Sequence, residues 1–279
     1  MEIIHAIILG IVEGFTEFLP ISSTGHLIVA ESAIGFKDTA KLFTVVIQIG
    51  AIAAVLWFYR LDIMKRLGSL LKQEKGANKF WLNLIIATIP AGLFGLALDK
   101  TLQKYSVPRT VALTLILGGI ALWLVETYHR EPKVERPREM GRKPEAQLDS
   151  ITPKQALSVG VVQVASLVPG VSRSGATIVG GLLSGMDRVT ATAFSFYLSL
   201  PVMILAVGYK LMKEHDKIAS LPGGSAALIV GTVTSFITGL LAVGWLLNYI
   251  SRNNFKPFAY YRIAFGVLIL LLLGMGFLE

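Results

Sequence analysis

Residues 13–30 read "EGFTEFLPISSTGHLIVA", and they set Glu13, Glu17, Ser22, Ser23, Thr24 and His26 inside an otherwise apolar run. The apolar stretch from about 3 to 30 would be long enough to cross a membrane, but "LPISSTG" interrupts it. Pro, Gly and Ser in mid-segment end one helix and start another. Each half is then about 10–14 residues, short of the roughly 20 a spanning helix needs. Irregular backbone at membrane depth must face protein or a cavity, so the stretch predicts a re-entrant helix–loop–helix. A second stretch, about 156–181, is broken in the same way by "VPGVSRSG".

The rest of the chain places these two hairpins in a membrane. Of 279 residues 53% are hydrophobic and only 16% charged, against about 25% in soluble domains. Uncharged runs at about 40–59, 82–99, 108–126, 187–208, 224–247 and 258–278 are each long enough to span. The fold class is therefore all-α: a polytopic membrane protein with six transmembrane helices and two re-entrant hairpins. The chain has no cysteine, which excludes disulfides, thiolate chemistry and cysteine metal sites. Glu2 stands where a signal peptide would carry a basic region, so the first apolar segment reads as retained. The net charge of +8 reads as basic loops facing anionic lipid rather than as a nucleic-acid surface.

Loop charge sets the orientation. Basic residues gather in 60–80, 127–155 and 248–257, which fall on one side and read as cytoplasmic. Lys210, Lys213 and Lys217 in the 209–223 loop fall on the other side, so the bias is imperfect. Segment 127–155, Pro-rich and mixed in charge, reads as a flexible cytoplasmic connector.

That connector separates two related halves, 1–126 and 156–279. Shifted by 150 residues, "GIVEGFTEFLPISSTGHLIVA" (10–30) lies over "GVVQVASLVPGVSRSGATIVG" (160–180), with Gly10/Gly160, Ser22/Ser172 and Gly25/Gly175 identical. Weaker likeness links 43–50 with 194–201 and 87–96 with 231–240. One hairpin plus three spans per half inverts the second half, so that the two breaks meet near the midplane, where such folds bind their ligands.

The second break, "PGVSRSGAT", has the chemistry of a phosphate cradle. Gly170 and Gly175 free the backbone, a helix starts at about Gly175, and Ser172, Ser174 and Thr177 are donors around Arg173. Arg173 offers a planar fork that matches phosphate oxygens. In the empty state its natural partner is Glu13 or Glu17. These carboxylates, four apart on one helical face, suit a hard divalent cation such as Mg²⁺ or Ca²⁺, or a general acid or base. Ser23 or His26 is a candidate nucleophile, with His26 alternatively a base or proton donor. His5, His129 and His215 lack such surroundings and read as structural or exposed. An acidic loop meeting a phosphate-binding loop inside a bilayer suggests metal-assisted hydrolysis of a lipid phosphate or diphosphate.

At "EGFTEFLPISSTGH" and "PGVSRSGAT" the chain resembles the undecaprenyl-diphosphate phosphatase (bacitracin-resistance) family of bacterial membrane enzymes, over essentially its full length. The resemblance implies removal of one phosphate from a C55 prenyl diphosphate, recycling a carrier lipid for cell-wall synthesis, and a divalent-cation requirement. It places Glu13, Glu17, Ser23, His26 and Arg173 in catalysis, and Ser22, Thr24, Gly170, Ser172, Ser174 and Thr177 around the substrate. It also implies a multi-pass protein of the bacterial inner membrane with its site open to the outer face. Its partners would be the prenyl diphosphate and membrane lipid, with a homodimer as a possible assembly and no nucleic acid. The other class of membrane lipid phosphatases needs S-R-x5-H, and Val179 stands where that histidine would be. A lipid transporter is the alternative, because inverted repeats also serve alternating access.

Overall fold

The computed structural model describes residues 2–36, 38, 41–74, 76–105, 107–132, 147–214, 216 and 223–278, with only the backbone at 99, 100 and 103. Among the described residues there are eleven α-helices and no strand. They are α1 (Glu2–Thr16), α2 (Ser23–Ile34), α3 (Leu42–Phe58), α4 (Arg60–Leu71), α5 (Ala77–Lys104), α6 (Pro108–Tyr128), α7 (Pro153–Gln163), α8 (Arg173–Leu183), α9 (Arg188–Glu214), α10 (Gly224–Ile250) and α11 (Lys256–Gly274). Local signals set many of their ends. Pro108 opens α6, Gly35 closes α2 in the left-handed region, and Thr152 and Gln155 form a reciprocal cap at the start of α7.

Five helices (α5, α6, α9, α10 and α11) are long and apolar enough to cross a membrane, six if α3 and α4 form one broken span. The apolar run 40–59 indeed gives α3, but the chain turns by 68° at Tyr59 and continues as α4, where the sequence reads as a loop. The physical reason is amphipathicity. Leu61, Met64, Leu67 and Leu71 repeat at helical spacing and stay exposed, while Lys65 and Arg66 carry the polar side.

Other boundaries also differ from expectation. The span read at 187–208 runs on to Glu214, so Lys210 and Lys213 are helical rather than in a loop; His215 and Lys217 lie outside the described residues. Both ends of the 127–155 connector belong to the fold. Residues 133–146 lie outside the described residues, but Glu131 pairs with Arg188, Leu148 and Ile151 are buried, and Thr152 caps α7.

α9 is the central helix, with 67% of its most apolar window buried against 22–33% in the other spans. Outward-facing leucines such as Leu93, Leu117 and Leu241 present the apolar surface that lipid requires. Inside, small residues let backbones touch. A Cβ built on Gly10 of α1 would fall 2.5 Å from Gly231 O of α10, and one on Gly160 of α7 would fall 2.6 Å from Ala87 O of α5. Gly10 and Gly160 correspond under the 150-residue shift, and Ala87 and Gly231 open the matched stretches 87–96 and 231–240. The first helix of each broken pair thus packs on a long helix of the other half. α6 and α11 pack reciprocally, Gly119 against Ala259 O and Gly266 against Ala112 O.

Gly10→Leu and Gly160→Leu should each destabilise the protein by about 1–3 kcal/mol, because neither contact is with a side chain that can swing away. Gly68→Leu, in the interior of α4 with a Cβ that meets nothing within 4 Å, should not destabilise the protein and should gain up to about 1 kcal/mol of helix propensity. Thermal unfolding in detergent checks the set.

Candidate functional site

The two broken stretches supply the site. α1 ends at Thr16, yet the Glu17 N–H still bonds to Glu13 O at 3.0 Å, so both carboxylates leave from one turn. The chain then runs through Phe18–Ile21 to Ser22, which precedes α2 with φ 71° and ψ 100°. In the second break α7 passes through a short 3₁₀ turn, Val164–Leu167, to Gly170 at φ 91° and Ser172 at φ 71° and ψ 113°. Two non-glycine residues 150 apart therefore share one strained backbone conformation, a state that persists only where the surroundings impose it. α8 begins at Arg173, two residues earlier than the sequence reading.

The breaks touch through polar side chains. Arg173 Nη2 donates to Glu17 Oε1 at 3.0 Å, with both side chains almost fully buried. The same guanidinium donates to Met203 Sδ (3.0 Å) and Ser195 O (3.4 Å) on α9, and lies 5.8 Å from the Phe18 ring centroid. The other Glu17 oxygen accepts from Ser23 Oγ at 2.5 Å. Ser174 Oγ donates to Leu19 O at 2.9 Å, a second tie between the breaks. Glu17, Ser23 and Arg173 thus form one connected unit.

The remaining sequence-predicted residues sit around it. Glu13 is 1% exposed and its Oε1 has no hydrogen-bond partner; Ser22 Oγ and Arg173 Nε are likewise buried and unpartnered. Ser172 Oγ accepts from Gly175 N at 3.1 Å and donates to Ser174 Oγ at 3.1 Å, whose own proton goes to Leu19 O. Thr177 Oγ1 donates to Arg173 O and lies 2.6 Å from Ser195 Oγ, so it braces the α8 turn against α9. Gly170 packs on α6, where a Cβ would fall 2.7 Å from Val111 Cα. Thr24 is half-buried in the first turn of α2.

His26 stands apart from Ser23. Its Nδ1 is 2.8 Å from Ser22 O, an acceptor only, so Nδ1 carries the proton. In the neutral ring Nε2 then accepts from Tyr261 Oη at 2.7 Å, and Phe265 stacks on the ring at 4.2 Å between centroids. The hydroxyl of Ser23 is held by Glu17 and not by this imidazole.

Arg262 on α11 is a residue the sequence reading missed. It is 1% exposed and donates to carbonyls throughout: Pro20 in the first break, Gly170 and Val171 in the second, Thr114 and Leu115 on α6, at 2.8–3.4 Å. Gly118 and Gly175 leave room for its guanidinium. The signal was available, since a lone arginine in an apolar span is a functional or structural marker by default.

Glu13 and Glu17 fit a hard divalent cation. Two carboxylates from one turn, one with an unpartnered buried oxygen, give the oxygen donors that Mg²⁺ or Ca²⁺ takes beside phosphate. Among the described residues no third acidic or histidine side chain joins them, so a phosphate would have to complete the shell.

Fold and site together define a multi-pass helical membrane protein with an ionic centre buried between two broken helices. The family model described as "Bacitracin resistance protein BacA" matches residues 6–268. An undecaprenyl-diphosphatase from Neisseria gonorrhoeae is 44% identical over 280 residues, covering 99% of this chain and 97% of the relative. Undecaprenyl-diphosphatase 1 from Burkholderia cenocepacia is 45% identical over 279 residues, covering 99% and 98%. The chain belongs to the bacitracin resistance protein BacA family.

Replacing Arg262 by Met should free carbonyls of both breaks inside the protein, where each unsatisfied group costs about 1–3 kcal/mol. The expected result is a large drop in thermal stability in detergent, with Arg262→Lys recovering only part of it because a point charge cannot reach all the carbonyls.

Proposed function

We propose that the two broken helices are the re-entrant hairpins of an inverted-topology repeat, 1–126 and 156–279, and that undecaprenyl diphosphate is hydrolysed where they meet. The chain is an integral-membrane phosphatase that converts this lipid to undecaprenyl phosphate and inorganic phosphate. The reaction returns the carrier lipid to cell-wall synthesis and underlies bacitracin resistance. What supports the reading is the family, with identity of 44–45% to named undecaprenyl-diphosphatases along nearly the whole chain. The observation that carries the chemistry is the Glu17–Arg173 pair with Ser23 on its other side.

The site acts through these groups. Arg173 turns its fork from Glu17 to the terminal phosphate, and its unpartnered Nε gives a further donor. Glu17, freed of its cation partner, keeps the Ser23 hydrogen bond and takes that proton as base. Ser23 Oγ forms the new bond to phosphorus as the bond to the bridging oxygen breaks and undecaprenyl phosphate leaves. The leaving undecaprenyl phosphate takes that proton from Glu17, and the restored carboxylate takes a proton from water, whose oxygen displaces Ser23 Oγ from phosphorus; inorganic phosphate leaves and Ser23 Oγ recovers its proton from Glu17. Glu13 and Glu17 would hold Mg²⁺ or Ca²⁺, which would supply charge neutralisation at the leaving group. The start of α8 would offer the anion its first N–H groups, at Arg173 and Ser174, the Gly175 N–H being taken by Ser172 Oγ. His26 sets the first break by bonding Ser22 O, and Tyr261 fixes its ring.

The protein lies in the bacterial inner membrane with this site open to the outer face. In that orientation the basic loops 60–80 and 248–257 are cytoplasmic.

Purified protein in detergent should release phosphate from a C55 prenyl diphosphate and lose that activity in EDTA. No release with any divalent cation, from folded protein, overturns the phosphatase reading. Among variants, Arg173→Lys should lose most activity because a point charge cannot replace the fork. Glu17→Gln should be more damaging than Glu13→Gln, since Glu17 alone contacts both Arg173 and Ser23. Steady-state phosphate release ranks the three, and the reverse order of the glutamates would remove Glu17 as base.

A further inference from the structure

The chemistry above makes no use of the apolar groove between α5 and α9. It encloses about 740 Å³, within the roughly 300–1,000 Å³ of ligand pockets. Gly92 and Leu96 of α5, Leu205 and Gly208 of α9, and Leu167 of the second break line it. On its lining the Thr88 hydroxyl is satisfied by Leu84 O and that of Ser166 by Gln163 O, both at 2.7 Å. A ligand here needs apolar surface and no hydrogen bonds.

The groove begins at the site. Pro169 precedes Gly170 of the phosphate loop, and Val202 adjoins Met203, whose sulfur accepts from Arg173. It ends at Lys210 and Lys213, about 16 Å further along α9 at 1.5 Å per residue.

Two glycines point to an occupant. A helix-interior glycine costs about 1 kcal/mol relative to alanine. At Gly10 and Gly160 such glycines admit neighbouring backbone, whereas a Cβ on Gly92 or Gly208 meets nothing within 4 Å; Gly68 and Gly274 are equally open, but they do not line this groove. Their missing side chains widen the groove and serve no packing. The counterpart of this helix pair makes the same point. With 43–50 matched to 194–201 and 87–96 to 231–240, α3 and α10 correspond to α9 and α5. That pair is closed: a Cβ on Gly50 would overlap Thr232 O, and one on Gly239 would lie 3.2 Å from Ala54 Cβ. One pair is sealed, and its counterpart stands open beside Arg173.

We infer that the α5–α9 groove holds the first isoprene units of the substrate's polyprenyl tail while Arg173 holds the diphosphate. This rests on the phosphatase reading. A C55 tail is longer than the groove and continues into lipid.

The test compares kcat/KM on C55 prenyl diphosphate and on methyl diphosphate, which has no isoprene unit, for wild type, Gly92→Leu, Gly208→Leu and the control Gly274→Leu, whose Cβ also meets nothing within 4 Å. Filling the groove should lower the prenyl-to-methyl ratio about tenfold, through KM, as expected for a few displaced methylenes. The control should keep the wild-type ratio. An unchanged ratio in both groove variants overturns the assignment, and is the outcome if an ordinary acyl chain fills the groove. Wild-type protein that hydrolyses neither substrate overturns the phosphatase reading and the assignment with it. If the leucine variants do not fold, wild type is labelled with a photoreactive C15 prenyl diphosphate. Adducts on α5 and α9 support the groove, and adducts confined to α6 and α11 overturn it.

Discussion

Arg262 joins the two breaks from one buried position. Each break frees backbone carbonyls inside the protein, and buried carbonyls need partners. One guanidinium meets Pro20 O in the first break and Gly170 O and Val171 O in the second, and anchors both to α6 through Thr114 O and Leu115 O. The arginine is thus a shared cap. Its position fixes the distance between the breaks, and every other contact across the site presupposes that distance.

The Glu17–Arg173 pair is the first of those contacts. Buried ion pairs add little net stability, because desolvating both charges offsets most of their attraction. Their value here is that the pair can be exchanged. A phosphate satisfies Arg173 as well as a carboxylate does, and a cation can take over Glu17 and Glu13. The empty site therefore pairs Arg173 with Glu17, and in the reaction proposed above substrate and cation would take the place of each partner. Ser23 is attached to Glu17 in the meantime, so the hydroxyl is positioned before the substrate arrives.

Much of this was legible in the sequence, and the omissions share a cause. The breaks were visible because Pro20, Gly25, Gly170 and Gly175 stand inside apolar runs, where local chemistry dictates the backbone. Glu17 and Arg173 were visible because charge at membrane depth demands a partner. α4 was missed because mean apolarity sees "RLDIMKRL" as a loop, while its helical character lies in the spacing of Leu61, Met64, Leu67 and Leu71. The Glu17–Ser23 hydrogen bond was not legible because 17–22 has no period, and only the folded path brings the hydroxyl back to Glu17. Tyr261 meets His26 across 235 residues, a pairing no local pattern encodes. Arg262 was overlooked because one charge in a long apolar helix reads as tolerable until the carbonyls it serves are known.

The packing also bears on how far the two halves can move. A carrier built on an inverted repeat needs one half to rock against the other. Here the halves interlock, α1 on α10 and α7 on α5, through glycines whose neighbours are backbone atoms. Such contacts are close and directional, and sliding one helix by a fraction of a turn would drive a carbonyl into the opposing chain. α6 and α11 are locked reciprocally in the same way. Beside the site α5 and α9 leave an open apolar groove. The frame is rigid where a carrier would have to hinge and open where a lipid would have to enter, which is the division of labour an enzyme acting on a membrane-bound chain requires.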